Sequence, residues 1–286
     1  NRSNISYFLE HNVLLRRFTL SVGVLANYNS ALNEGIHFYP GIDASYRIGD
    51  NFRLYGSWNR ALRMPTFTDL YYEGKTNKGN PDLKPEESEA FEVGLKYNTY
   101  FLRAHIAGFY RKGKNMIDWV KEKPEDIWES QNLTKVDNLG FETNLSLLPR
   151  ELGNERFFIR KIELGYAFIH QDKDSEGYIS NYALDYLKHK FTAQLSHSIW
   201  KGFSATWYVR WQDRAGSYTK YENLKPAYEE PYAPYCLVDM KVNWEYQRLN
   251  LYAELNNLLN STYYDLGNIP QPGIWFKAGF RYSFKY

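Results

Sequence analysis

Several features are scarce in this 286-residue sequence, and each shortage excludes a class of protein. The single cysteine, Cys236, rules out an internal disulfide and a Cys-rich metal site. The longest convincing apolar stretch covers only residues 20–26, whereas a transmembrane helix needs ~18 such residues. The formal net charge of +2 is too balanced to indicate nucleic-acid binding. The N-terminus lacks an initiator Met and a signal-peptide pattern, so we expect a processed chain or a piece of a longer one.

Signatures of enzymatic chemistry are missing as well. The six histidines form no His-Glu-x-x-His spacing, and the sequence contains no Gly-x-Ser-x-Gly nucleophile elbow. We therefore predict a protein that is not an enzyme, without catalytic residues, metal or cofactor.

Aromatic residues, in contrast, are abundant. They make up 18% of the chain, while the mean hydropathy is −0.61. Disordered chains are poor in aromatic residues, so disorder is excluded. An abundance of aromatic residues together with a polar mean hydropathy indicates secondary-structure elements that have one apolar face and one face in contact with water.

Apolar and polar residues alternate with a period of two through most of the chain, which is typical of β-strands with one wet face. At the C-terminus, one face carries Ile274, Phe276, Ala278, Phe280, Tyr282, Phe284 and Tyr286, and the other carries Trp275, Lys277, Gly279, Arg281, Ser283 and Lys285. The pattern predicts thirteen strands, near residues 3–13, 17–28, 35–48, 51–61, 87–97, 100–118, 134–148, 156–170, 186–199, 202–213, 235–246, 249–261 and 273–286.

The predicted connections alternate between tight and long. The long, polar or aromatic ones are residues 29–34, 62–86, 119–133, 171–185, 214–234 and 262–272. Short turns at one end and long loops at the other are typical of outer-membrane barrels. The sequence therefore predicts an all-β fold, a segment of a transmembrane antiparallel β-barrel. Because such barrels are closed and have even strand numbers, other polypeptide must supply the remaining strands.

Two stretches carry family motifs. The first contains Arg63, Pro65, Gly79, Asn80, Pro81, Leu83, Lys84, Pro85, Glu86, Glu92 and Gly94. The second runs from Asn256 to the aromatic C-terminal residue Tyr286. Together they resemble TonB-dependent outer-membrane receptors, with Tyr286 as the terminal assembly signal. Residues 69–72 and 79–81 are most similar to the vitamin B12 (cobalamin) transporter branch of the Bacteroidota, although siderophore receptors share these motifs.

The resemblance implies a 22-stranded barrel that is closed by an N-terminal plug, preceded by a segment that binds TonB. Residues 1–286 then correspond to the C-terminal portion of the barrel, with neither plug nor TonB-binding segment. The implied partners are the remaining strands and plug, on the same gene or a second chain, the TonB complex, outer-membrane lipid and optionally a surface lipoprotein.

Three sets of residues are candidates for roles in such a receptor. The long loops carry rings suited to ligand contact: Tyr71, Tyr72, Trp128, Tyr178, Tyr182, Tyr218, Tyr221, Tyr228, Tyr232, Tyr263 and Tyr264. The polar strand faces carry residues expected to line the lumen and pack against the plug: Arg103, Glu142, Arg210, Asp239, Lys241, Glu254 and Arg281. We interpret the Gly79–Glu86 stretch as a structural end to a long loop, and expect Arg63 to pair with a lumen or plug carboxylate.

The function implied is TonB-dependent import of a scarce, large nutrient, with cobalamin or a related corrinoid as the expected ligand. A siderophore or other iron complex is the alternative ligand. A passive porin or a surface adhesin on the same barrel is the alternative from another class. A soluble β-sandwich is disfavoured because the strands are long and carry rings at lipid-facing positions.

Overall fold

A computed structural model describes residues 3–30, 35–123, 125–153, 156–174, 177–180, 186–222, 225–267 and 269–284. Tyr182 and Tyr286, a predicted ligand contact and the predicted assembly signal, lie outside the described residues. Among the described residues, no helix has the length and apolarity needed to cross a membrane.

The described chain is dominated by strands. In chain order they begin with β1 (Asn4–Leu14), β2 (Phe18–Asn29), β3 (Ile36–Ile48), β4 (Phe52–Arg63), β5 (Asn77–Lys78), β6 (Glu86–Asn98), β7 (Leu102–Lys121), β8 (Trp128–Leu147), β9 (Ile159–Asp174) and β10 (Ile179–Ser180). They continue with β11 (Leu187–Trp200), β12 (Phe203–Arg214), β13 (Ser217–Glu222), β14 (Lys225–Pro231), β15 (Tyr235–Tyr246), β16 (Leu249–Asn256), β17 (Tyr264–Leu266), β18 (Ile269–Pro270) and β19 (Trp275–Tyr282). One short helix, α1 (Phe67–Tyr71), follows β4, and a 3₁₀ turn covers Pro149–Leu152.

The long strands form one antiparallel sheet in which sequence neighbours are also spatial neighbours. Its order is β1-β2-β3-β4-β6-β7-β8-β9-β11-β12-β15-β16-β19. The thirteen predicted strands are these thirteen, so the all-β antiparallel prediction is confirmed. Local connections of this kind need only tight turns on one side, and the turns at Gly49 and Gly202 use the left-handed φ values of 67° and 85° that glycine adopts freely.

The register separates the two faces of the sheet. Lys241 lies opposite Glu254, which in turn lies opposite Lys277. One position along, Val242, Ala253 and Ala278 form the corresponding row on the other face. The alternation of the sequence is therefore kept across β15, β16 and β19. The apolar face leaves large side chains such as Phe276 exposed, as in a strand that borders lipid.

The chain divides into two compact units. The first comprises residues 1–96, 106–141 and 170–184, and the second comprises residues 97–105, 142–169 and 185–286. The largest fully buried side chains belong to the first unit, at Val120, Asn29, Asp118 and Ser130. Three of these four are polar, so polar side chains occupy several of the most fully buried positions described in this unit.

Five predicted loops contain regular structure that the alternation did not reveal, among them residues 171–185 with β10 and residues 262–272 with the pair β17 and β18. Residues 62–86 include α1 and β5, residues 119–133 are largely absorbed into β7 and β8, and residues 214–234 form the hairpin β13–β14. Trp128 accordingly starts β8 instead of lying in a loop. The extensions are stabilised because β10 pairs with the end of β7 and β5 pairs with the start of β8. At the C-terminus, β19 spans Trp275–Tyr282, shorter than the predicted residues 273–286.

The helix α1 has a local cause. The side chain of Thr66 accepts a hydrogen bond from the backbone N–H of Asp69, and the Asp69 carboxylate accepts one from the backbone N–H of Thr66. This reciprocal capping box satisfies two backbone donors at the start of the helix. Five residues are too few for a helical period to be visible in the sequence.

Candidate functional site: a braced motif loop and a tyrosine hairpin

The residues between β4 and β6, numbered 64–85 and here called the motif loop, are held by an ion pair between the exposed side chain of Arg63 and the buried carboxylate of Glu86. Arg63 donates to both carboxylate oxygens of Glu86, over 2.7 and 2.5 Å. Glu86, only 7% exposed, also accepts from the backbone N–H of Ile117 at 2.8 Å. A second carboxylate, that of Asp69, lies 3.6 Å from Arg63. The carboxylate partners of Arg63 among the described residues thus belong to its own loop and to the start of β6, and its pairing with a lumen or plug carboxylate stays a prediction.

Gly79 and Asn80 bring the motif loop back against α1. Gly79 donates its N–H to the carbonyl of Tyr72 at 2.6 Å, and Asn80 donates to the carbonyl of Asp69 at 2.9 Å. A Cβ atom on Gly79 would lie 2.8 Å from backbone atoms of Leu70 and Tyr71, closer than real Cβ contacts allow. Glycine is therefore required here for close approach of two backbone segments.

Asn132 fixes the second half of the motif loop. Its side-chain oxygen accepts from the N–H of Lys84, and its amide donates to the carbonyls of Lys84 and Asn115. The other motif residues of this turn, Pro81, Leu83 and Pro85, lie in the connection that leads into β6. Asn132 was not singled out in the sequence, because it is remote in the chain and belongs to no motif.

The last motif residues, Glu92 and Gly94, lie within β6. Gly94 lies directly beneath the ring of Tyr55, where a Cβ atom would overlap the ring at 2.5 Å. Lys96 places its Nζ 4.6 Å from the centre of the same ring. Glu92 lies in the exposed part of the strand. The contacts found for Arg63, Gly79, Asn80, Lys84, Glu86 and Gly94 are made within the chain, and the interpretation of residues 79–86 as a structural end to a loop stays a prediction.

The rings of the first unit differ in exposure. Tyr71 is 65% exposed and stacks on Phe67. Tyr72 packs edge-on against Trp119 with ring centres 6.4 Å apart. Trp128 is covered by the ammonium of Lys121 at 4.5 Å. Tyr178 lines a concavity of about 290 Å³ at the ends of β7 and β8. Tyr71 is therefore the ring of this set that is most available to a ligand.

The second unit brings five of its tyrosines together. The ring of Tyr218 packs against Tyr232 at 5.1 Å and Tyr264 at 5.6 Å. A second pair, Tyr235 and Tyr263, lies 4.7 Å apart. The hydroxyl of Tyr235 shares its proton between side-chain oxygens of Gln212 and Asp265, two residues that were not among the predicted candidates. These rings mainly pack the loops onto one another.

The hairpin β13–β14, here called the tyrosine hairpin, leaves two rings exposed. Tyr221 is 55% exposed and Tyr228 is 51% exposed. The hairpin is held by polar contacts on its surface, among them a hydrogen bond from Thr219 to Glu229 at 2.5 Å and an ion pair between Lys220 and Glu230.

Two pKa values in the tyrosine hairpin are shifted. The hydrogen bond to Glu230 raises the pKa of Lys220 above its ordinary value of 10.5. Burial raises the pKa of the Tyr218 hydroxyl, and the negative charge of Glu230 adds to this. Both groups keep their protons at neutral pH.

The predicted lumen-facing residues are partly joined by ion pairs. Glu254 bridges Lys241 at 2.8 Å and Lys277 at 2.6 Å. Glu142 lies 3.7 Å from His105. Of the other predicted residues, Asp239 accepts from the backbone N–H of Asn257, and Arg103 is an exposed residue of β7. Arg210 lies opposite Leu237, and Arg281 lies opposite Asn250. The described residues contain no group of three or more metal-ligating side chains arranged to hold an ion.

Comparison with curated proteins finds receptors for two kinds of ligand. A protein described as vitamin B12 transporter BtuB from Vibrio vulnificus is 26% identical over 225 residues, which cover 59% of this chain and 36% of that protein. The ferrienterobactin receptor of Escherichia coli is 22% identical over 297 residues, covering 94% of this chain and 38% of the receptor. The chain thus spans less than half the length of these relatives.

Solved structures share the fold over nearly the whole chain. A variant of the ferric enterobactin receptor PfeA from Pseudomonas aeruginosa, in complex with enterobactin, superposes with a TM-score of 0.77 at 20% identity. The superposition covers 99% of this chain and 46% of that structure. The siderophore receptor PirA of the same organism gives 0.71 at 17% identity, over 99% of this chain and 47% of that one.

The family profile described as TonB dependent receptor-like, beta-barrel matches residues 1–258. These relatives are receptors and transporters of the Gram-negative outer membrane rather than enzymes. The chain therefore belongs to the TonB-dependent receptor β-barrel family.

Proposed function

We propose that the protein to which this chain belongs imports a scarce, large nutrient across the outer membrane, using energy delivered by TonB. The observation that carries the proposal is the combination of a two-faced thirteen-strand sheet with exposed tyrosines on a surface hairpin. The sheet supplies a wet face and a lipid face, and rigid rings hold large ligands at low entropic cost. Import in this form requires no covalent chemistry by the chain.

Cobalamin or a related corrinoid is the proposed ligand. Support comes from the B12 transporters of Vibrio vulnificus and Photobacterium profundum, which are 26% and 25% identical to the matched parts of this chain. The pattern of residues 69–72 and 79–81 supports the same branch, and its similarity to the Bacteroidota transporters is part of this proposal.

A ferric siderophore is the second candidate. The match to the ferrienterobactin receptor covers more of the chain, 94% against 59% for the Vibrio transporter. The exposed rings of the tyrosine hairpin are compatible with either ligand, because both are large and present flat surfaces.

The experiment that tests the proposal is uptake by cells that express the full-length gene, with and without TonB. Labelled cobalamin and a labelled ferric siderophore are supplied separately, each at a concentration so low that passive diffusion gives no measurable uptake. We expect cobalamin to accumulate only when TonB is present. Accumulation of the siderophore alone would move the proposal to the second candidate, and equal uptake without TonB would contradict active import and favour a passive porin. Surface binding without uptake of either ligand would favour an adhesin.

We further propose that the polar-face residues Arg103, Glu142, Arg210, Asp239, Lys241, Glu254 and Arg281 line the lumen and pack against the plug. Their alternation with apolar neighbours supports this orientation. Exchanging several of them for alanine is expected to loosen the plug and raise passive entry of a bulky antibiotic. Unchanged entry in correctly assembled variants would count against the assignment.

A further inference from the structure

The polar face of the second unit contains a concavity of about 880 Å³ that is rich in cations. Six basic side chains line it: Arg160, Lys161, Lys241, Arg248, Lys277 and Arg281. Only two carboxylates, Glu245 and Glu254, belong to the same lining. We call this surface the basic hollow. Its formal charge is strongly positive in a chain whose total charge is only +2.

The carboxylates near the basic hollow are already engaged. Glu254 is shared between Lys241 and Lys277, and Glu245 accepts from the amide of Asn250. Outside the lining, Glu163 pairs with Lys161 at 2.8 Å. Among the described residues, no carboxylate pairs with Arg248 or Arg281. Two guanidinium groups therefore remain available to an outside partner.

The register explains why these charges converge. Lys241 and Lys277 flank Glu254 in one row across β15, β16 and β19, and Arg281 lies opposite Asn250 in a row closer to the tight turn. Neighbouring rows point to the opposite face, where Val242, Ala253 and Ala278 lie. A concave wall with low-dielectric backing concentrates the field of such charges, so an anionic partner is attracted more strongly than by a flat surface.

We propose that the basic hollow binds a carboxylate-rich segment of the plug. The inference rests on the proposed function, in which a plug occupies the lumen, and adds where and by which chemistry the plug is held. Arg248 and Arg281 each provide a planar fork of donors that matches a carboxylate in two parallel hydrogen bonds. The row formed by Lys241, Glu254 and Lys277 forms the adjoining wall. Small anions from solution are the competing occupant.

Photo-crosslinking in the full-length receptor identifies the occupant. A photoreactive phenylalanine derivative is placed at Asn243, which lines the basic hollow, or at Val242, the adjacent position on the opposite face. We expect the probe at Asn243 to attach to a plug peptide that carries several Asp or Glu residues, and the probe at Val242 to attach to no plug peptide. Attachment of the Asn243 probe to plug peptides without carboxylates, or to no protein segment, would overturn the proposal.

Charge variants separate electrostatic binding from simple proximity. In the Asn243-probe protein, the double change Arg248→Glu and Arg281→Glu is expected to lower the crosslink yield about fivefold. The milder pair Arg248→Gln and Arg281→Gln should give an intermediate loss, which guards against failed assembly of the reversed variant. The control is Lys201→Glu, which makes the same total charge change as the Gln pair but lies in a tight turn outside the hollow lining. Equal yields in all three assembled variants would show that the arginines do not hold the plug.

Uptake measurements on the same cells keep the two proposals apart. If the Asn243 probe reaches an acidic plug segment but uptake does not require TonB, the basic hollow stands and the import function fails. If uptake requires TonB but the probe attaches to no acidic plug segment, the import function stands and the proposal for the basic hollow fails.

Discussion

The motif loop and the tyrosine hairpin are both long connections, yet different contacts hold them. The motif loop depends on the buried carboxylate of Glu86 and on backbone hydrogen bonds made by Gly79 and Asn80. The tyrosine hairpin depends on surface contacts, such as the ion pair between Lys220 and Glu230. Losing a hydrogen-bond partner costs a buried carboxylate much free energy, because no water replaces the partner. At the surface the cost is small, because water takes the place of the lost partner.

The difference separates residues that define the family from residues suited to ligand recognition. The motif loop contains the family motif, but its polar groups form hydrogen bonds within the loop and with neighbouring strands. The tyrosine hairpin carries no signature but exposes Tyr221 and Tyr228. We therefore expect changes at the internally bonded residues of the motif loop, such as Gly79, to reduce assembly, and changes at the exposed rings of the hairpin to reduce binding. The following predictions test that division, beginning with the largest effect.

Replacing Gly79 with alanine is expected to have the largest effect on the structure. The new Cβ would press on the backbone of Leu70 and Tyr71 at 2.8 Å, and neither segment can yield without breaking hydrogen bonds. Overpacking of this kind costs about 3 kcal/mol. Limited proteolysis of the motif loop in whole cells should show rapid cleavage. The control Gly108→Ala, whose nearest neighbour lies at 3.9 Å, should behave like the unmodified protein.

Replacing Glu86 with glutamine should have the next largest effect. It removes the charge that faces Arg63 while keeping the size of the side chain, so the loss of free energy of unfolding should be about 2 kcal/mol. The urea midpoint of the purified receptor in detergent measures it. The control Glu87→Gln alters an exposed pair with Arg60 at 3.6 Å and should shift the midpoint little. Equal shifts in both variants would contradict a special role for the pairing of Arg63 with the buried Glu86 carboxylate.

Removing the exposed rings of the hairpin should weaken binding without loss of stability. We expect Tyr221→Ala and Tyr228→Ala each to lower ligand affinity about tenfold, the scale of a ring that contacts a partner. Binding of labelled cobalamin and ferric siderophore to whole cells measures the effect. The control is Tyr246→Ala, which removes a ring of similar exposure, 59%, at a tight turn. Unchanged affinity in both hairpin variants would show that the ligand lies elsewhere.

The smallest effect concerns pH. Since the folded pKa of Lys220 is raised above 10.5, its pairing with Glu230 stabilises the hairpin below that pH and is lost as the pH rises through the raised value. Cleavage of the hairpin by an alkali-tolerant protease should therefore stay constant up to about pH 10 and increase above it. The variant Lys220→Arg, which keeps its charge throughout, should show a smaller increase at each pH. Identical curves would mean that the ion pair does not hold the hairpin.

The alternation of apolar and polar residues was enough to predict the thirteen long strands, but it did not predict how far some of them extend into the long connections. Each strand of β15, β16 and β19 has a wet and an apolar face, so the period is visible locally. Trp128 was placed in a loop because its strand continues through pairing with Asn77, a contact that no local pattern records. The partner of Arg63 was missed for the same reason: Glu86 is 23 residues away in the chain.

The sequence by itself determined the class of fold, the thirteen strands, their faces and the family, because these depend on residue type at short, regular spacing. Only the tertiary structure decided which loop residues serve the scaffold and which face outward. Asn132 and Gly79 acquire their roles from backbone segments that reach them through the fold, and Tyr218 and Tyr221 differ in exposure although both are tyrosines of β13. Burial and partner choice are properties of contacts between distant segments, and such contacts leave no periodic trace in the sequence.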